Sequence, residues 1–100
     1  MIKHIVMWKF KDSAEGKTKQ ENMAFVKDSL YALVGVIDEI KKMEMGFDIT
    51  HSDMSCDLVL LTEFESVEAM KTYAVHPEHV KVSTYVRKVI ESRAVIDYEM

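Results

Sequence analysis

The chain has 100 residues, of which 48% are apolar and 30% charged, and its formal net charge is −4. This composition is typical of one globular domain, so we predict a single domain spanning residues 1–100. The 13 basic residues are spread along the chain among 17 acidic ones. No basic cluster is present to neutralise phosphates, which disfavours a nucleic-acid partner.

The first ten residues and the cysteine content indicate the cellular compartment of the protein. Charged and titratable side chains interrupt the apolar residues of MIKHIVMWKF, so we expect no signal peptide. No apolar run approaches the length of a membrane span, and we expect no membrane partner. The single cysteine, Cys56, cannot form an intramolecular disulfide and fits a reducing compartment. We therefore expect a cytoplasmic protein.

Hydrophobic periodicity predicts the elements of the first two thirds of the chain. Apolar residues alternate in period two from Ile2 to Phe10, which is typical of a strand. After a turn-prone segment, intervals of three, four and seven residues predict one buried face of a long helix, formed by Met23, Val26, Leu30, Leu33, Val34 and Ile37. Period two then returns in Met43–Ile49 and in Leu58–Phe64, which predicts two further strands.

The last third of the chain predicts two short helices and a fourth strand. Ser66 is a favourable N-cap for the first helix. Pro77 interrupts that helix and can begin the next, because proline is tolerated in the first helical turn. Apolar residues of the second helix share one face, and alternation in residues 93–100 predicts the final strand. The order of elements is therefore β-α-β-β-α-α-β.

This order predicts an α+β fold, the ferredoxin-like βαββαβ protomer with an extra short helix, in which helices cover one face of a four-stranded antiparallel sheet. The other face of the sheet would be exposed to solvent. The residues that we assign to it are too apolar to be left in water: Ile5, Met7, Val59, Leu61 and Val95. We therefore predict a homodimer in which two sheets pack face to face, giving a dimeric α/β barrel.

The segment His76-Pro77-Glu78-His79 contains two of the four histidines and the only proline. If Pro77 is the first helical residue, a rotation of about 100° per residue places His79 on the apolar stripe of its helix, pointing inward. The helix dipole and burial both favour a neutral His79, the form that general-base catalysis requires. His76 lies outside the helix and is interpreted as part of the helix start.

Three further residues are predicted to reach the cavity that His79 faces. Tyr73 lies off the apolar stripe of the preceding helix and close to the break, so its hydroxyl can extend toward that cavity. His4 and Trp8 lie on the strand face that we assign to the helices. We therefore predict His79 and Tyr73 as candidate catalytic residues, and His4 and Trp8 as candidate ligand contacts.

Residue types that bind metals occur in two segments, but neither predicts a metal site. In His76-Pro77-Glu78-His79 the two imidazoles are directed differently, which disfavours a shared coordination sphere. The segment from His51 to Asp57 is typical of a solvated turn. No motif for a cofactor is found in the sequence. We therefore predict neither a metal nor a cofactor.

Three segments resemble the stress-responsive dimeric α/β-barrel (Dabb) family: MIKHIVMWKFKD, FESVEAMKTYAVHPEHVKV and SRAVIDYE. The resemblance spans nearly the whole chain and implies a ferredoxin-like protomer that dimerises through its sheets. Family members include stress-associated plant proteins and a plant polyketide cyclase that needs no cofactor. The catalytic pair of that cyclase is similar to Tyr73 and His79, and its strand-one histidine matches His4. Two of its other polar pocket positions fall near Val26 and Leu58, which are apolar here.

Three functions are compatible with these patterns. The first is a stress-associated homodimeric barrel that acts through structure or interactions and has a small apolar pocket. The second is a cofactor-free cyclase, isomerase or lyase that acts on a small apolar carbonyl or phenolic compound. In that case His79 removes a proton and Tyr73 hydrogen-bonds a substrate oxygen. The third is a monooxygenase or haem-handling enzyme, since other dimeric α/β barrels perform such chemistry.

Overall fold

All 100 residues are described by the computed structural model. Its elements in chain order are β1 (Ile2–Phe10), β2 (Ser13–Ala14), β3 (Lys17–Thr18), α1 (Lys19–Tyr31), β4 (Lys42–Phe47), β5 (Leu58–Phe64), α2 (Val67–Val75), α3 (Pro77–Val89) and β6 (Ile90–Glu99). Four strands form one antiparallel sheet in the order β4-β5-β1-β6, while β2 and β3 form a separate hairpin. The predicted α+β, ferredoxin-like order is confirmed.

The core lies between the helices and one face of the sheet. Strand β1 is central, and its even-numbered residues point into the core. Val6, for example, is paired with Leu60 on β5 and is almost completely buried. The buried apolar cluster comprises Val6, Trp8, Phe10, Val26, Leu30, Leu33, Ile37, Ile40, Met45, Leu58, Leu60, Phe64, Tyr73, Val86 and Val89. This cluster joins β1, β4 and β5 to all three helices, so residues on the inner face of β1 lie beneath the helical layer.

Helix α1 is shorter than its apolar pattern predicts. Thr18 begins it with a capping box, accepting from the Glu21 N–H while the Glu21 carboxylate accepts from the Thr18 N–H. The helix ends at Tyr31, and the following residues form successive turns in which Gly35 has a φ of +112°. A right-handed helix cannot continue through that backbone conformation. Ile37 still reaches the core, but from the connection between α1 and β4.

The predicted strand boundaries also need correction. Strand β4 ends at Phe47, and Ile49 lies outside it in the loop with 87% of its surface exposed. Strand β6 begins at Ile90, directly after α3. The turn after β1 contains a hairpin that the sequence analysis did not predict, because Glu15 and Gly16 both adopt positive φ. Two central residues in that conformation are typical of a tight two-residue hairpin turn.

The sheet face opposite the helices is apolar, as predicted. One of the five residues assigned to it, however, lies on the other face. Val95 is paired with Val6, so it lies on the helix side of the sheet. The outer face instead carries Ile96 and Tyr98, which are 57% and 43% exposed. The alternation in β6 has apolar residues on both faces, so its orientation could be assigned only from the pairing with β1.

None of the three helices has both the length and the apolar character needed to cross a lipid bilayer.

Candidate functional site

A cavity of about 430 Å³ lies between the helical layer and the inner face of the sheet. It is lined by His4, Val6, Trp8, Leu30, Leu60, Tyr73, Ala74, His79, Val82, Ser83, Val86, Arg87, Ile90 and Arg93. The structure therefore places all four candidate site residues, His4, Trp8, Tyr73 and His79, on one cavity. Val26 and Leu58 are buried in the core and do not line it.

The break between α2 and α3 orients the helix that carries His79. His76 has extended backbone angles, with φ −61° and ψ 133°, and its Nδ1 accepts a hydrogen bond of 3.1 Å from the Glu78 N–H. Pro77, which has no N–H to leave unsatisfied, is the first residue of α3. His76 thus caps the helix, as predicted, and the third helical residue, His79, faces the cavity.

The imidazole of His79 is held in one tautomer by the end of α2. Its Nδ1 lies 3.0 Å from the carbonyl oxygen of Ala74. A carbonyl oxygen only accepts, so Nδ1 carries the proton and Nε2 keeps a free lone pair. Burial lowers the pKa of His79 below its ordinary value, an effect that the hydrogen bond to Ala74 opposes only in part. The side chain is therefore neutral at pH 7 and basic at Nε2.

Tyr73 presents a buried hydroxyl that has no hydrogen-bond partner in the protein. Its side chain is almost fully buried, and its ring centroid lies 4.3 Å from that of His79 and 5.0 Å from that of Phe64. Burial raises the pKa of Tyr73 to about 12, with the charge of Arg93 acting in the opposite direction. The phenol accordingly stays protonated at neutral pH and can donate a hydrogen bond to a molecule in the cavity.

His4 forms a pair with an acidic residue that the sequence analysis did not single out. The two residues are direct cross-strand neighbours on β1 and β6, and His4 Nδ1 hydrogen-bonds the Asp97 Oδ1. The carboxylate can only accept when ionised, so Nδ1 of His4 is the donor. The His4 ring also lies edge-on to Tyr73, with centroids 6.5 Å apart. The alternation of the closing strand contains the signal for this pair, but only once its register against β1 is known.

Arg87 and Arg93 line the cavity and were likewise not predicted as site residues. Both residues are exposed, and an arginine at such a position gives no sequence signal that separates it from an ordinary solvated surface residue. Ser83 also lines the cavity, and its Oγ accepts a hydrogen bond of 3.2 Å from Arg87 Nη2.

The segment from His51 to Asp57 lies away from this cavity. The His51 N–H donates a 2.6 Å hydrogen bond to Asp48 Oδ2, and Asp57 accepts from the Phe10 N–H at 2.7 Å. These contacts organise a loop. No three His, Cys, Asp or Glu side chains in the structure lie close enough together to hold a metal ion.

Topology and cavity together define a ferredoxin-like α+β domain with a mainly apolar pocket beneath its helices and a histidine-tyrosine pair in the pocket wall. Within that class, the chain belongs to the stress responsive A/B barrel domain family, whose sequence profile matches residues 2–100. The family predicted from the three sequence segments is thereby confirmed.

Two curated relatives and one solved structure are similar over nearly the full length. Olivetolic acid cyclase of Cannabis sativa is 32% identical over 99 residues, covering 97% of this chain and 94% of the cyclase. A stress-response A/B barrel domain-containing protein of Arabidopsis thaliana is 31% identical over 101 residues, covering 98% of this chain and 88% of that protein. A dimeric ferredoxin-like protein of unknown function from Bacteroides fragilis superposes with a TM-score of 0.87 at 34% identity, covering 99% of this chain and 95% of that one.

Proposed function

We propose that this protein is an acid-base enzyme that removes a proton from a carbon next to a carbonyl group in a small apolar substrate. One observation carries the proposal. The buried Tyr73 hydroxyl has no protein partner, and it belongs to a ring packed against His79, whose Nδ1 is already occupied by Ala74. A donor without an acceptor and a base with a free lone pair therefore share one wall of the cavity.

The chemistry follows from these two groups. Nε2 of His79 takes the proton from the carbon, and the electron pair of the C–H bond moves toward the carbonyl oxygen, giving an enolate. Tyr73 donates its hydrogen bond to that oxygen as the negative charge develops. The enolate carbon then either attacks a second carbonyl in the same molecule, closing a ring, or takes back a proton. Similarity to a protein named as a cyclase supports the first of these outcomes.

Cavity size and lining support a small substrate with an apolar part. A volume of about 430 Å³ is within the range of small-molecule sites in proteins. Apolar side chains from the sheet and from α3, such as Trp8, Leu60 and Val86, form much of the wall. Burying a hydrocarbon chain against these residues contributes roughly 0.8 kcal/mol for each CH₂ group.

Exchange of the carbon-bound proton of a substrate for deuterium tests the proposal directly. A β-keto ester with a short alkyl chain is incubated with the protein in D₂O, and NMR follows loss of the proton between its carbonyls relative to a protein-free sample. Wild type is expected to accelerate exchange, and His79→Ala to remove the acceleration. His76→Asn is the matched control, because asparagine can also cap α3. Binding of the ester by wild type without faster exchange would refute the enzyme and leave a ligand-binding role.

We also propose that the protein works as a homodimer joined through the outer sheet face. Ile96 and Tyr98 on β6, with Met7 on β1, leave a broad apolar surface exposed in the isolated chain. A second copy would cover it by an isologous contact. The Bacteroides fragilis protein, which is described as dimeric, supports this assembly. The cavity lies on the opposite side of the sheet and would stay open in such a dimer.

A further inference from the structure

We propose that the substrate carries a carboxylate, bound at one end of the cavity by Arg87 and Arg93. This inference deepens the proposed function and rests on it for the position of the carbonyl group, which lies between Tyr73 and His79. The ligand class would be a short apolar carbonyl acid.

The two arginines reach the cavity from different elements. Arg93 is the cross-strand partner of Trp8, so it lies on the helix side of the sheet. Arg87 is on α3, one turn after Ser83, and its Nη2 donates to the Ser83 Oγ. Since both line the same cavity, a group bound there can be contacted by one guanidinium from the sheet and one from the helix.

The charges around this end of the cavity are unbalanced. Neither arginine has a carboxylate within ion-pair distance, although eight such pairs occur elsewhere in the protein. No Asp or Glu is among the residues that line the cavity. The chain as a whole carries a net charge of −4. Two cations without a counter-ion, on a mainly apolar cavity of an acidic protein, are a binding arrangement for an anion.

The charges of the two arginines affect the pKa values of the candidate catalytic pair. Their positive charges add to the effect of burial in lowering the pKa of His79, and Arg93 also acts on Tyr73. Arg87, Arg93, Tyr73 and His79 all line the same cavity of about 430 Å³, so one small molecule can contact the arginines and the pair together. A guanidinium group matches the planar geometry of a carboxylate and can bind it through two parallel hydrogen bonds.

Calorimetric titration with three matched probes tests the inference: hexanoate, hexanamide and hexyl phosphate. Wild type is expected to bind hexanoate about tenfold more tightly than hexanamide, since hydrogen bonds to a charged group are stronger than those to a neutral one. Arg87→Leu and Arg93→Leu should each reduce that preference, measured as the ratio of the two dissociation constants in each variant. Lys88→Leu, which removes a charge from α3 outside the cavity lining, should retain the preference.

The outcomes separate this inference from the enzyme proposal. Equal affinity of wild type for hexanoate and hexanamide would overturn it, as would a preference that survives in both arginine variants. Tighter binding of hexyl phosphate than of hexanoate would assign the site to phosphoryl groups and overturn the carboxylate. His79→Ala should keep the preference for hexanoate, so a failure of proton exchange leaves this result unaffected.

Discussion

The rings of Tyr73 and His79 lie with their centroids 4.3 Å apart, and no hydrogen bond joins them. His79 uses Nδ1 to bond the Ala74 carbonyl, and the Tyr73 hydroxyl has no partner at all. A direct bond between the two side chains would consume the free lone pair of one and the donor of the other. Because the two side chains do not bond each other, the Tyr73 donor and the Nε2 lone pair of His79 both remain unused within the protein.

Tyr73→Phe is expected to stabilise the fold while impairing catalysis. Leaving a buried hydroxyl without a partner costs about 1–3 kcal/mol, so its removal should raise the free energy of unfolding by about 1 kcal/mol. Loss of the donor should slow proton exchange by about 10²-fold. Urea denaturation and the exchange assay measure the two effects.

Tyr31→Phe is the matched control for this prediction. The Tyr31 hydroxyl accepts a 3.0 Å hydrogen bond from the Met45 N–H, so its removal should lower the free energy of unfolding by about 1 kcal/mol. Exchange should remain normal, since Tyr31 does not line the cavity. A Tyr73→Phe variant that is less stable than wild type would show that the hydroxyl is satisfied in solution.

The exchange rate is expected to rise with pH, with a midpoint below pH 6.5. Only neutral His79 can accept a proton, and burial lowers its pKa from the ordinary value of about 6.5. The base form is therefore already populated at mildly acidic pH. A pH-rate profile of wild type measures the midpoint, and a midpoint above 6.5 would contradict the desolvated environment assigned to His79.

The same pKa shift affects stability in a defined direction. The unfolded chain protonates His79 as the pH falls through about 6.5, whereas the folded chain does so only at lower pH. The unfolded state thus binds more protons in this window, and stability falls as the pH falls through it. His79→Gln should lose less stability than wild type between pH 7 and pH 5, as followed by thermal unfolding. An unchanged pH dependence would argue against the shift.

Asp97→Asn is expected to change which ring nitrogen of His4 carries the proton. The carboxylate of Asp97 accepts from Nδ1 of His4 and so keeps a proton on that nitrogen. An asparagine side chain can donate through its nitrogen as well as accept through its oxygen, so the Nε2-protonated form of His4 should become populated beside the Nδ1-protonated one. Nitrogen chemical shifts of the His4 ring measure the ratio of tautomers. His79 is the internal control, because its Nδ1 is held by a backbone carbonyl and should show no change.

Ile96→Lys is expected to prevent the proposed dimer from forming. Ile96 is 57% exposed on the outer face of β6, and an ammonium group there would be desolvated between two sheets. Light scattering should give a mass near 11.6 kDa for the variant and about twice that value for wild type. Val75→Lys, at an exposed residue at the end of α2, should remain dimeric. A wild-type monomer at micromolar concentration would refute the assembly.

Local patterns were sufficient to predict most of the fold and part of the site. Period changes located the four main strands, and Pro77 located the helix break that turns His79 inward. Contacts between distant strands were not predictable in this way, because periodicity leaves the register of β6 open. The pair His4–Asp97 and the true face of Val95 both depend on that register. The end of α1 was missed because the apolar pattern continues past Tyr31, where the helix ends, into turns in which Gly35 adopts a positive φ.

The interruption at Pro77 has a chemical consequence. In an uninterrupted helix the Ala74 carbonyl would accept from the backbone N–H of Glu78, four residues later. Here that N–H is used by the His76 ring, so the carbonyl is free to bond His79. A substitution that joined α2 and α3 into one regular helix would improve the local hydrogen bonding and release the His79 imidazole from its single tautomer. The break between α2 and α3 is therefore what leaves Nε2 of His79 as the basic nitrogen.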